Sequence, residues 1–187
     1  MDKDAKSEAE RFSLEQSSAL TELHRAIGQA LSAWANLEYN LGDTYAKIAH
    51  PESKTAALAA YWSNPSFLAK LEMVRAVFEV ALKGTVHEVY DEWLDVHKRL
   101  IQQNKLRNRI AHGTAVMSSK EKNGRQIGGA SFFPKPNEAT KDFLEGRQPS
   151  EMHARDIVRA AEDFGLTSRR LRDISDFRVF RNYKKPA

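Results

Sequence analysis

Arg107, Asn108 and His112 stand within the stretch KLRNRIAHG, residues 105–113. Arginine carries a permanent charge in a planar fork that matches a phosphate. Histidine is the side chain suited to moving protons near neutral pH. Asn108, between them, can bond a phosphate oxygen or orient His112. The combination fits chemistry at a phosphodiester. A strong helical period from about Thr85 onward places the three residues in the last turns of a long helix. Gly113 follows directly, where a left-handed glycine commonly ends a helix.

At about 100° per residue, Val86, Val89, Trp93, Val96, Leu100 and Ala111 fall within about 60° of Trp93. His97, Asn104 and Arg107 share that apolar stripe, while Lys98, Lys105 and Arg109 point away from it. Arg107 therefore faces a core or a cleft, where a charge needs a partner. His112 lies at the rim, about 100° from Trp93. A first helix from Ser13 carries its own stripe, Leu20, Leu23, Ile27, Leu31, Trp34, Leu41, Tyr45 and Ile48. Glu38 lies on it and also needs a partner. The expectation is that Glu38 faces Arg107, with Asn104 in support. Each residue also has a plain structural role. Arg107 can serve only in an ion pair with Glu38, His112 only as a helix C-terminal histidine near the last carbonyls, and Asn104 and His97 as bonded core polar groups.

Bulk properties narrow the class. A chain of 187 residues, 41% hydrophobic and 29% charged, is ordinary for a soluble protein with a real core. It has no cysteine, so disulfides and thiol catalysis are excluded and a reducing compartment fits. The polar start MDKDAKSEAERF has no signal-peptide core, and no apolar run approaches the roughly 20 residues of a membrane span. A cytoplasmic location is expected. The net charge of +4 is small, but residues 96–120 contain no acid and hold Lys98, Arg99, Lys105, Arg107, Arg109 and Lys120. Such a window attracts polyanions, and Lys105 and Arg109 are the expected contacts to one. His24, His50, His87 and His153 are scattered without metal-site spacing, and there is no phosphate-binding glycine loop. Neither a metal nor another cofactor is expected.

The remaining elements follow from period and punctuation. The first helix ends before Pro51, and a short helix covers Ser53 to about Trp62. Asn64-Pro65 breaks the chain, and Ser66 caps a third helix with Phe67, Leu71, Val74, Phe78 and Leu82 inward. Gly84 stops it. After the motif helix, Asn123-Gly124 reads as a hairpin turn between strands near Thr114–Ser118 and Arg125–Phe133. Residues 137–149 read as loop with at most one helical turn. Ser150 caps a last long helix, which Gly165 is placed to bend. The three tryptophans, Trp34, Trp62 and Trp93, read as core. The expected fold is all-α, an antiparallel helical bundle with a small β-hairpin before the last long helix. Its expected organisation is a frayed or disordered stretch over 1–12, one domain over 13–182 and a flexible tail over 183–187.

Arg107-Asn108, three residues and then His112, at the end of a polar helix, resembles the signature of the HEPN superfamily. These are small helical-bundle proteins, many of them metal-independent ribonucleases of toxin–antitoxin and phage-defence systems. The signature is an arginine, a polar residue that is often asparagine, and a histidine, with four to six residues between the arginine and the histidine; here four, Asn108 to Ala111, stand between Arg107 and His112, the shortest spacing. The resemblance covers about residues 13–182 as architecture but only six residues as a specific motif. It implies an endoribonuclease with Arg107, Asn108 and His112 as catalytic residues, producing 2′,3′-cyclic phosphate and 5′-hydroxyl ends. It further implies a homodimer, RNA as substrate and, for a toxin, an antitoxin protein as partner. The alternative within the same family is a non-catalytic helical module that binds nucleotide, RNA or a protein partner.

Overall fold

The computed structural model describes residues 3–49, 52–82, 87–122, 125–148 and 150–176. These residues are mostly helical, with a two-stranded antiparallel hairpin before the last long helix. In chain order they form α1 (Lys3–Ala49), α2 (Lys54–Ser63), α3 (Phe67–Leu82), α4 (His87–Ala111), β1 (Thr114–Lys122), β2 (Arg125–Phe133), α5 (Pro136–Leu144) and α6 (Ala154–Asp176). They gather into two compact units. One comprises residues 1–32 with 106–161, the other residues 33–105 with 162–187. No helix among the described residues is long and apolar enough to cross a membrane.

In the unit of residues 33–105 and 162–187, the apolar spacing read from the sequence becomes core. Trp34, Leu37, Leu41, Leu71, Val74, Phe78, Trp93 and Phe164 are all buried. Phe78 stacks on Trp93 with ring centroids 4.2 Å apart, an aromatic contact that adds to plain burial. Side-chain contacts give the helix directions. Asp43 meets Lys54 and Glu38 accepts at its carbonyl from Tyr61, so α2 runs back along α1. Glu72 meets His97 while Phe78 meets Trp93, so α3 and α4 are antiparallel. Arg170 pairs with Asp95 and Gln103 bonds Thr167, so α6 is antiparallel to α4. Asn40 donates to Ser168 and Lys47 pairs with Asp176, so α6 runs with α1. α1 to α4 thus alternate in direction, as their short connections require.

In the other unit, the hairpin is pinned to the first part of α1. Gln16 Nε2 donates to the Ser118 carbonyl at 3.0 Å, and the Gly128 amide donates to Glu15 Oε2 at 3.2 Å. β1 and β2 pair in register from Thr114↔Phe133 to Lys122↔Arg125, so β1 runs four residues beyond its expected end. The expected turn at Asn123-Gly124 lies outside the described residues, as do Pro51, Gly84, Thr85 and the tail.

Three local expectations are corrected. α1 is helical from Lys3 rather than frayed to residue 12, because its first turns are rich in helix formers and Arg11 pairs with Glu8 and Glu15 at three- and four-residue spacing. Residues 136–144 form a helix, with proline at its first position, where the missing N–H costs nothing. Ser150 does not cap the last helix. Met152 exchanges two backbone hydrogen bonds with Phe132, which holds the chain extended, so α6 begins only at Ala154. There the Asp156 carboxylate accepts from the His153 amide at 3.0 Å, half of a capping box.

Candidate functional site

The last turn of α4 is fixed from both sides in sequence. Ile110 is 2% exposed and anchors it. After Ala111, the His112 amide donates to the Asn108 carbonyl at 3.1 Å and closes the final turn. Gly113 then enters β1. It is not in the left-handed region expected of a cap; among the described glycines only Gly146 has positive φ. Its requirement is space. A Cβ at Gly113 would overlap the Phe132 ring and lie 2.8 Å from the Phe133 carbonyl oxygen. The glycine lets β2 close against the end of the motif helix.

On this frame Arg107 is half-buried and His112 is exposed. Arg107 Nη1 donates to Asn108 Oδ1 at 2.9 Å, so the neighbouring amide braces the guanidinium. Arg107 Nε is buried and makes no hydrogen bond, leaving a donor of the fork unspent at a cost in desolvation. The His112 imidazole faces solvent. The buried direction of α4 explains this exposure. It follows Trp93 and Val96 in the first turns, then moves round to Gln103 and Ile110. Ile110 is about 100° from Trp93 on the side opposite His112, which puts the histidine well clear of the packed face.

The other expected residues divide. Asn108 and Arg109 are exposed in the same unit as Arg107 and His112. Arg109 lines a cavity of about 290 Å³ with Lys135, Glu138, Asp142 and Ser150, so its surroundings are mixed in charge rather than purely basic. Asn104, buried, and Lys105, exposed, belong to the other unit. So does Glu38, whose partner is Lys70 rather than Arg107. Lys70 Nζ lies 2.8 Å from Glu38 Oε1, 4.4 Å from the Trp62 ring centroid and 5.3 Å from that of Tyr61. Trp62 is thus a half-exposed lid over an ammonium, not core.

Lys70 was readable in principle. It sits three residues after Phe67 and four before Val74, at the spacing of the inward face of α3. Gln103, likewise unforeseen, donates to the Asp163 carbonyl at 3.0 Å and to Thr167 Oγ1 at 2.9 Å. Beside Glu38, burial first and then the Glu38 charge push the Tyr61 phenol well above its ordinary value. Among the described residues no group of three or more His, Asp or Glu side chains is placed to hold a metal ion. Comparison with protein-family models, with curated proteins and with solved structures finds no match for this chain.

Proposed function

We propose that the protein is a metal-independent endoribonuclease of HEPN type, acting in the cytoplasm as a toxin or phage-defence effector. One observation carries the reading. At the end of α4 an exposed histidine follows a half-buried arginine whose fork is braced by Asn108 and still holds an unspent buried Nε–H. RNA supplies its own nucleophile, the 2′-hydroxyl. Its proton leaves to a base, the 2′-oxygen bonds to phosphorus, and the bond from phosphorus to the 5′-oxygen breaks as that oxygen takes a proton. The products are a 2′,3′-cyclic phosphate and a 5′-hydroxyl. His112 serves in proton transfer, and Arg107 stabilises the charge gathering on the phosphoryl oxygens.

One histidine in the motif of each chain is short of the two proton-transfer groups this reaction favours. A homodimer that places two copies of the motif about one cleft supplies the second, and an isologous contact is the commonest form of self-association. An antitoxin protein that covers the cleft is the matching partner. A second reading, a module that binds nucleotide, RNA or a partner without cutting, is favoured by Glu138 and Asp142 beside Arg109, which weaken the basic surface on that side. Incubation with RNA in EDTA separates the two. Cleavage supports the enzyme, and binding without cleavage supports the module.

A further inference from the structure

Away from the α4 motif, in the unit of residues 33–105 and 162–187, α1 and α6 run side by side and leave a groove of about 500 Å³. The lining has no acidic residue. α1 offers Asn36, Tyr39 and Asn40, and α6 offers Ser168, Arg169 and Arg172. Gly165 lies in the wall, and a Cβ there would meet nothing within 4 Å. Its missing side chain leaves the groove wider.

The two arginines decide the ligand. Among the described residues of this unit, several cations are spent on carboxylates: Lys47 on Asp43 and Asp176, Lys54 on Asp43, Lys70 on Glu38, Arg75 on Glu72 and Glu79, Arg99 on Asp163, and Arg170 on Glu92 and Asp95. Arg169 and Arg172 are exposed and pair with no described carboxylate. Three residues apart on one helix, their Cβ atoms are about 5–6 Å apart, and both residues line one groove. Across from them Tyr39 is 54% exposed, an aromatic face without a packing role that accounts for it. Asn40 is already anchored to Ser168 at 2.7 Å, so the amide and hydroxyl form a fixed polar floor. Two free guanidiniums, an exposed aromatic ring and amides in an acid-free groove are the parts with which proteins hold single-stranded nucleic acid: arginine on phosphates, the ring on an unstacked base.

We propose that the α1–α6 groove binds single-stranded RNA, with Arg169 and Arg172 on successive phosphates and Tyr39 stacked on a base. The proposal does not depend on the chemistry assigned to His112. It is tested by fluorescence anisotropy of the full-length protein with a labelled 12-nucleotide oligouridylate carrying 2′-O-methyl groups, which cannot be cleaved through the 2′-oxygen. Affinity is measured across a salt series. Each phosphate contact on a single strand contributes about 0.7 to the slope of log affinity against log salt. R169A/R172A should lower affinity at least about tenfold and flatten the slope by about 1.4. Tyr39→Ala should weaken binding severalfold at an unchanged slope, while Tyr39→Phe keeps wild-type binding. Circular dichroism of each variant checks that the helices persist. No binding by the wild type, an unchanged slope in R169A/R172A, or equal affinity for a duplex or for uridine monophosphate would overturn the proposal.

Discussion

Glu38→Gln is the sharpest test of how the larger helical packing is held. Lys70 is 7% exposed at its side chain and Glu38 19%. The substitution keeps shape and an acceptor but removes the charge opposite a buried ammonium. Removing one partner of a fully buried pair costs about 3–5 kcal/mol. Two features reduce this. Glu38 keeps some contact with water, and the Trp62 and Tyr61 rings retain part of the ammonium's stabilisation, about 1–2 kcal/mol for a desolvated cation on a ring. The expected loss is then about 2–3 kcal/mol. At roughly 2–4 °C per kcal/mol for a chain of this size, the melting midpoint should fall by roughly 4–12 °C. Lys70→Met should cost less, because the remaining carboxylate can turn toward solvent. The double variant Glu38→Gln/Lys70→Met should be more stable than the sum of the two losses predicts, since contacting residues couple. Thermal melts followed by circular dichroism read all three. A Glu38→Gln midpoint within a degree of wild type, or strict additivity in the double variant, would refute this reasoning.

Further expectations come from other sites. Gly113→Ala should destabilise by about 1–3 kcal/mol through overpacking against Phe132, and Gly113→Ala/Phe132→Leu should recover part of that loss in the same melts; no recovery would mean the glycine is needed for another reason. At Asp43, burial raises the carboxyl, but hydrogen bonds and charge from Lys54 and Lys47 outweigh it and hold the group below its ordinary value of 3.8. Its contribution is therefore present above that pH and lost as pH falls through the depressed folded value, so Asp43→Asn should flatten the acid limb of a stability profile below about pH 4. Lys47 is opposed by burial but raised above 10.5 by Asp176 and Asp43, so its contribution holds below 10.5 and is lost above the raised value; Lys47→Met should flatten the alkaline limb, and an unchanged limb would count against the cluster. Tyr61, raised by burial and then by the Glu38 charge, should stay protonated in the folded chain above the ordinary phenol value of 10, and ultraviolet titration should show that late-titrating phenol vanish in Tyr61→Phe.

Elements with strong periodicity were legible in the sequence. The apolar spacing around Trp34, Phe78 and Trp93 specified α1, α3 and α4, and the Asn123-Gly124 turn signal pointed to both strands. α5 was hidden because it is short and leaves Phe143 and Leu144 exposed, so its pattern does not follow burial. The Glu38 partner was misread because a stripe angle says that a charge points inward, not which of several inward helices answers it. The role of Gly113 depends on Phe132, nineteen residues later, and only the closed hairpin brings the two together. Arg107, read as facing a core or cleft, is half-buried, and His112, read as lying at the rim, is exposed, because the buried face of α4 shifts before it reaches them.

We propose that Arg107 and His112 cut RNA without a metal. The direct measurement is end-group analysis of RNA incubated in EDTA with the wild type and with His112→Ala. The account predicts 2′,3′-cyclic phosphate and 5′-hydroxyl ends from the wild type, about 10²–10⁴-fold slower cleavage by a folded His112→Ala, and no cleavage of a 2′-deoxy strand. Undiminished cleavage by His112→Ala, or 5′-phosphate ends that appear only with added magnesium, would contradict it.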